Sequence, residues 1–571
     1  MHQRLGNDLI LGRLPGRNAS LAFPRSGRDK HLYICGGTGT GKSKFLESLI
    51  RQDILAWRKS KCGLIVLDPH GSLYDSLIQW LAWNKNHLER PIVPIDLRQD
   101  DWVISYNLLR QRRLADPAVL VDNIVDAMAY VWGQSGTDQT PRFARWAGTI
   151  LRTLYDNNLT LIESEHLIDH LSRQMRYLLT GKLTDKASKQ DLLFANTLNP
   201  RDFESQVGST VNRLQRFVRT QTMRSMFGLP GVSLDLGKAL DEGSIILVSL
   251  ATEGGKVSKE NSELFATLLL SDLWTAAQER GKRQGIKPFY VYLDEFQRFV
   301  TPTIAENLDE ARGYGLHLTM AHQFPNQLLD RGESGKRVYN SIMENASSKV
   351  VFRLTHEENL RVMAQSLFMG VMDPDEIKHQ LYSTKVMAYK EEMRTSYTKA
   401  SSTGGGDFSG TTETASESGS TGDLEEMLRW AKAAALSGGD SSTWTDSESE
   451  TTSSVLMPVL GKELSHVQFR SLEEQLFRSM AVLFDQKQRQ GVARLVGMSA
   501  PVSLYTPEVR QFPGSAERTK SYISSLCSKL PFALPSAKAK IEIEHRAKEL
   551  PGEILKAFSD EAATAKRKIS K

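Results

Sequence analysis

The sequence predicts an α/β protein built on a mostly parallel, doubly wound sheet, and three observations carry that prediction. Short apolar runs, among them Leu32–Cys35, Gly63–Leu67, Ser244–Leu250 and Phe289–Leu293, alternate with stretches of helical periodicity. The runs are continuous rather than alternating, as strands covered on both faces are. Three of the runs end in acids, Asp68, Asp96 and the pair Asp294–Glu295, at the strand ends where such sheets bind ligands.

The first run opens into Gly36-Gly37-Thr38-Gly39-Thr40-Gly41-Lys42-Ser43, which fits G-x-x-x-x-G-K-S/T between a strand and a helix. Phe45, Leu46, Leu49, Ile50 and Ile54 supply the helical spacing that follows. The chemistry explains the residue types. Glycines let successive backbone N–H groups curl around phosphate oxygens, and the helix N-terminus adds partial positive charge. Lys42 can reach the β- and γ-phosphates of a nucleotide, and the Ser43 hydroxyl can hold Mg²⁺. The expected cofactors are therefore ATP and Mg²⁺.

At 571 residues, with about 150 residues per domain, the chain has room for three or four domains. Apolar content of 40% and charged content of 24% are those of a globular protein. A net charge of +5 is compatible with a polyanionic partner without demanding one. Cys35, Cys62 and Cys527 form no C-x-x-C pair, so neither a zinc site nor a disulfide framework is indicated. A reducing cytoplasm is the simplest setting. No apolar run approaches 18 residues and no signal-peptide core is present, so the chain is expected neither to span a membrane nor to be exported by that route.

Taken in order, residues 1–30 read as a lead too short for a domain. The run Gly63–Leu67 then ends at Asp68, either a ligand-facing acid or a turn former. From 108 to 230 helical patterns replace strand signals, which predicts an all-helical inserted domain. Within it Phe203, Val207, Val211, Leu214, Phe217 and Val218 share one helical face, and Arg213, Arg216, Arg219 and Arg224 the opposite one. That stripe is either a phosphate-facing surface or an ordinary solvated face. A helix over 259–280 leads to the strand that runs into Asp294 and Glu295. A buried strand has no structural reason to end in two acids. A nucleotide enzyme does, with one acid on Mg²⁺ through water and the next polarising the attacking water.

Leu316–Met320 leads into Ala321-His322-Gln323, and 349–353 reads as another strand. The P-loop core is thus expected over 31–107 and 231–393, resuming at 463–507. Residues 394–462 turn to Ser, Thr, Gly, Asp and Glu and are expected to form a disordered insertion with one helical island at 423–436. Residues 508–571 read as a helical basic tail ending in Lys566-Arg567-Lys568.

Together these stretches resemble the coupling-protein ATPases of conjugation and type IV secretion (the TraD/TraG group), within the HerA/FtsK superfamily of DNA-pumping motors. The resemblance is carried by GGTGTGKS at 36–43, GLIVLDPHG at 63–71, SYNLL at 105–109, GSIILVSL at 243–250, YVYLDEFQ at 290–297 and LTMAHQ at 318–323. It covers roughly 30–390 and, loosely, 465–506. It implies a RecA-like P-loop NTPase core with an inserted all-α domain, assembled as a homo-hexamer around DNA. It further implies Lys42 and Ser43 on the ATP phosphates and Mg²⁺, Asp294 on the metal side, Glu295 as catalytic base and Gln323 as γ-phosphate sensor. Arg312 is implied as an arginine that reaches the neighbouring subunit's nucleotide; a plain reading makes it a helix-end residue complementing the dipole.

The leading expectation is an ATP-driven, sequence-independent DNA translocase serving conjugative transfer. The alternatives are a HerA-like motor feeding a nuclease in end processing or phage defence, and an ATP-gated adaptor. A relaxase, secretion-channel or nuclease partner would accompany these in turn. Coupling proteins usually begin with transmembrane helices. This chain has no such run, which leaves a cytoplasmic setting, or one peripheral to the inner membrane through a partner.

Overall fold

The computed structural model describes residues 8–84, 90–110, 116–133, 140–281, 285–301, 308–330, 332–400, 447–512 and 514–569. The chain divides into two compact units, 1–372 with 476–571, and 373–475.

Fifteen strands are described: β1 (Leu9–Arg13), β2 (Ser20–Phe23), β3 (Leu32–Cys35), β4 (Gly63–Asp68), β5 (Ile92–Asp96), β6 (Trp102–Ile104), β7 (Ile245–Ser249), β8 (Phe289–Asp294), β9 (Leu316–His322), β10 (Ser348–Phe352), β11 (Ile377–Ala400), β12 (Ser447–Phe469), β13 (Gln490–Arg494), β14 (Val502–Tyr505) and β15 (Ala533–Pro535). The first unit is organised around an 11-stranded sheet of order β2-β1-β14-β13-β10-β3-β9-β8-β4-β7-β5. From β10 to β5 every pairing is parallel. The strands β2, β1, β14 and β13 extend it antiparallel. The sheet is therefore mostly parallel, as the continuous apolar runs predict.

Strand alternation divides the core. Leu32 and Ile34, Leu64 and Val66, and Ile245 and Leu247 enter the layer beneath α1 (Lys42–Ser60) and α2 (Ser72–Asn84). Their neighbours Tyr33 and Cys35, Ile65 and Leu67, and Ile246 and Val248 enter the layer shared with the helices of 117–242. No strand occurs between β6 and β7 among the described residues. The helices there start on local signals. Asp116 and Asn199 accept hydrogen bonds from Ala118 N and Asp202 N, with Pro117 and Pro200 at the first helical position. Thr160 and Glu163 form a capping box.

The lead proves to be part of the fold, because β1 and β2 pair with each other and β1 with β14. Behind them the turn Arg25–Lys30 inserts Arg28, 2% exposed. Its guanidinium donates to Asp53 Oδ2 at 2.7 Å and to the Tyr292 hydroxyl at 3.0 Å, and it stacks 3.5 Å from the Tyr290 ring centre. Asp53→Ala leaves that cation buried without its counter-charge. Urea unfolding is expected to read a loss of about 3–5 kcal/mol. The Arg28→Met/Asp53→Leu double variant should recover most of it.

The C-terminal stretch likewise joins the fold. β15 pairs with β6, Leu534 opposite Val103, and Arg546 meets Glu163 at 2.6 Å. The Lys566–Lys568 run has a helical backbone, and its side chains lie outside the described residues.

The second unit corrects the sequence expectation. Residues 394–397 and 449–462, expected to be disordered, lie in β11 and β12, which pair as one long antiparallel ribbon. The flanks 377–393 and 463–469, expected in the P-loop core, belong to the same ribbon. Ser- and Thr-rich sequence reads as loop by composition. Yet Thr, Val and Tyr suit strands, and pairing gives each polar residue a cross-strand neighbour, which composition does not reveal. The expected helical island at 423–436 lies outside the described residues.

Candidate nucleotide site

The parallel strands all deliver their C-terminal ends to one edge of the sheet, and four adjacent elements build the site there. The loop 36–41 joins β3 to α1. Gly39 and Gly41 take positive φ, +77° and +106°, which side chains rarely tolerate, and a Cβ on Gly39 would meet nothing. The loop is fixed from two sides. Gly37 N donates to Arg353 O at 3.0 Å, just past β10, and Gly36 N to His322 O at 3.3 Å.

Lys42, 7% exposed, donates to Glu295 Oε1 at 2.7 Å and lies 3.7 Å from Asp294 Oδ1. The Ser43 hydroxyl reaches Asp294 Oδ2 at 3.4 Å. In a regular strand two successive acids would point to opposite faces. They converge on Lys42 because Glu295 is in the left-handed region, φ 48° and ψ 47°. For a residue with a Cβ such a conformation costs about 1–3 kcal/mol. Gln297 holds the result, donating from Nε2 to Glu295 Oε2 at 2.7 Å.

The two acids titrate differently. Burial pushes the Asp294 carboxyl up to about 6, against the pull of Lys42 and with Glu295 adding to the rise. Burial also acts on Glu295, but the Lys42 charge and the hydrogen bonds from Lys42 and Gln297 bring that carboxyl below its ordinary value. Glu295 is thus held as an acceptor.

Gln323 follows β9, the neighbour of β3, and its Oε1 accepts from the Thr38 hydroxyl at 3.4 Å. Beneath it, buried His322 Nε2 and the Tyr33 hydroxyl share a 2.5 Å hydrogen bond. Burial and then the nearby Lys42 charge drop its imidazole to about 3, so the ring is neutral.

The structure therefore brings Lys42, Ser43, Asp294, Glu295 and Gln323 together with the loop Gly36–Gly41. It places Arg312 elsewhere, exposed in the turn Arg312–Tyr314 that precedes β9, at the opposite edge of the sheet. Asp68 is structural: its carboxylate accepts backbone N–H bonds from His70, Leu73 and Tyr74 at 2.8–2.9 Å, closing the start of α2. Two contributors escaped sequence reasoning. Gln297 had a signal, since it completes Asp-Glu-Phe-Gln. Arg489 had none: from a distant loop its backbone N donates to Thr40 O at 2.9 Å, with Arg489 at φ +67°.

The donor set fits a nucleotide with Mg²⁺. A buried ammonium waits on two acids, a hydroxyl stands beside one of them, and the glycine loop offers open space for phosphate oxygens. No described helix is long and apolar enough to cross a membrane.

Residues 12–222 match the family model described as the central domain of helicase HerA, and residues 288–458 the model described as the TraM recognition site of TraD and TraG. A search of curated protein sequences finds no match. Among solved structures, the plasmid coupling protein TrwB in complex with ADP and Mg²⁺ is 13% identical, with a TM-score of 0.50 over 90% of this chain and 91% of that one. Unbound TrwBdeltaN70 is 13% identical, with a TM-score of 0.49 over 89% and 90%. VirB4 of Thermoanaerobacter pseudethanolicus is 13% identical, with a TM-score of 0.42 over 65% and 90%. The likeness to TrwB with ADP and Mg²⁺ is one of fold. The chain thus combines a region similar to the HerA central domain, a region similar to the TraM recognition site of TraD and TraG, and a fold like that of TrwB.

Proposed function

We propose that this protein is an ATP-driven DNA translocase, the coupling ATPase of a conjugative or type IV secretion system, working as a hexameric ring. The observation that carries the reading is Lys42 held between Asp294 and Glu295 at the mouth of the glycine loop. That arrangement is poised for exchange. When ATP enters, Lys42 leaves the acids for the β/γ-phosphates, which frees Glu295 to take a proton from water and leaves Asp294 beside Ser43. Mg²⁺ held there would neutralise phosphate charge as the bond breaks. Gln323, hydrogen-bonded to Thr38 of the loop, is placed to report the γ-phosphate to β9.

The assigned roles are Lys42, Ser43 and the loop Gly36–Gly41 for nucleotide, Ser43 and Asp294 for Mg²⁺, and Glu295, Gln323 and Arg312 for catalysis. The HerA match over 12–222 supports a motor over an adaptor. DNA-stimulated ATP turnover with displacement of a triplex-forming strand is the expected result. ATP turnover indifferent to DNA would favour the adaptor. A relaxase gene beside this one would favour conjugation, and a nuclease gene would favour a DNA-processing or defence motor.

DNA contacts should be to phosphates, hence independent of sequence and steeply salt-dependent. The arginine stripe is the candidate surface, and its members differ. Arg224 is tied to Glu165 at 2.6 Å, Arg216 pairs with Glu260 at 3.0 Å, and Arg213 lies 5.3 Å from the Phe143 ring centre. Arg216 and Arg219 are exposed, and an exposed ion pair worth up to about 1 kcal/mol is readily traded for phosphate. Neutralising Arg213, Arg216 and Arg219 together is expected to lower the slope of log K against log salt by about 2–3. An unchanged slope would return the stripe to its intramolecular partners.

A further inference from the structure

The ribbon supplies none of the residues assigned to the nucleotide. β11 and β12 pair from Ile377 opposite Phe469 to Ala400 opposite Ser447, and no other described strand joins either outer edge. The 23 residues of β12 extend roughly 75 Å at about 3.4 Å each. A two-stranded ribbon in water is marginal alone, and an open edge of that length is a template for further pairing.

The two faces of the ribbon differ. β12 runs without a register break from Leu464 to Ser447, so its even-numbered residues share one face. Cross-strand partners put Tyr382 with Leu464, Val386 with Leu460 and Tyr389 with Pro458 on that face, and Met393 and Tyr397 further along it. Tyr382, Tyr389, Met393, Tyr397, Leu456 and Leu460 are all at least half exposed. The opposite face carries Ser383 with Glu463, Lys390 with Met457 and Arg394 with Ser453. The strands also differ in charge. β11 has Lys378, Lys385, Lys390, Arg394 and Lys399 against Glu391 and Glu392, whereas β12 has Glu448, Glu450 and Glu463 against Lys462.

We propose that ribbons of neighbouring copies pair edge to edge, β11 of one with β12 of the next, into an annular antiparallel sheet curled with its apolar face inward. Pairing β11 with a second β11 would set a basic strand against a basic strand. Pairing β11 with β12 sets basic against acidic and is heterologous, so its repetition around a ring leaves no edge open. Curling that face inward removes its exposed Tyr, Leu and Met side chains from water, with Glu391, Glu450 and Lys462 of the same face toward the lumen, and keeps Lys385, Lys390, Arg394 and Glu463 outside. The inference rests on the ring assembly of the proposed function, and it names a contact that the nucleotide site does not require.

Equivalent residues of adjacent ribbons would then lie two strand spacings apart, about 10–15 Å once stagger along the strands is included. Cys35, Cys62 and Cys527 are buried, so a spin label can be placed at Ser383→Cys, on the exposed polar face. Continuous-wave spectra of the assembled full-length protein are expected to show dipolar broadening that disappears on tenfold dilution with unlabelled chains before assembly. Thr451→Cys, toward the other end of the same face, should behave alike. Rings verified by mass but free of broadening would overturn the pairing and leave the edges to a partner of another kind. DNA-stimulated turnover is measured on the same samples. Broadening without it supports the ribbon contact while failing the motor reading, and turnover in unbroadened rings does the reverse.

Discussion

A Glu295→Gln variant is expected to bind ATP and lose turnover by about 10²–10⁴-fold, the range of a general base, while Lys42→Ala loses turnover altogether. The amide keeps the shape of Glu295 and can still accept from Gln297, but it cannot take a proton from water. On the proposed reading Lys42 supplies the mobile point charge on the phosphates, which alanine cannot. Its loss also leaves Asp294 and Glu295, each 4% exposed, side by side without their counter-charge. Some loss of stability should therefore accompany Lys42→Ala, and nucleotide binding has to be read well below its unfolding temperature. Binding by fluorescent nucleotide and turnover by phosphate release separate the two variants. Wild-type turnover by Glu295→Gln would remove the base assignment.

The parts of this site that were legible in sequence are those a local pattern encodes. The glycine loop, the strand before it and the helix after it follow from spacing and residue type within thirty positions. The mostly parallel sheet followed from continuous apolar runs, because strands covered on both faces leave no polar alternation. What stayed hidden is set by long-range contact. Nothing in Asp294-Glu295 announces that Glu295 turns left-handed, yet that turn is what aims both acids at Lys42. Arg489 packs on the loop from more than four hundred residues away. β1 and β2 were missed because two short runs near the chain start gain strand character only by adding to β14. The ribbon was missed because its Ser- and Thr-rich distal half looks unable to fold, and within one chain the ribbon indeed gains little burial.

An effect of similar size is expected from Arg312→Ala, with ATP binding retained and turnover lower by on the order of 10³-fold. Within its own subunit Arg312 has no access to the nucleotide. β9, seven residues long, separates the turn at 312–314 from Gln323, a distance of roughly 20 Å at strand rise. Gly315, at φ +79°, closes that turn, and a Cβ there would lie 2.5 Å from Ile286 Cγ2, so the turn is sterically specified. The side chain is exposed, with Asp29 as a nearby charge. An exposed guanidinium on a defined turn, at the edge remote from its own site, suits delivery to the next subunit's site in a ring. A planar, permanent cation also matches the charge that spreads over γ-phosphoryl oxygens as the bond breaks. Complementation tests this directly. Mixing Arg312→Ala chains with Lys42→Ala chains should restore part of the turnover, since some interfaces then join an intact loop to an intact arginine. Arg312→Ala with normal turnover, or verified mixed rings with none, would return Arg312 to a helix-end residue near Asp29.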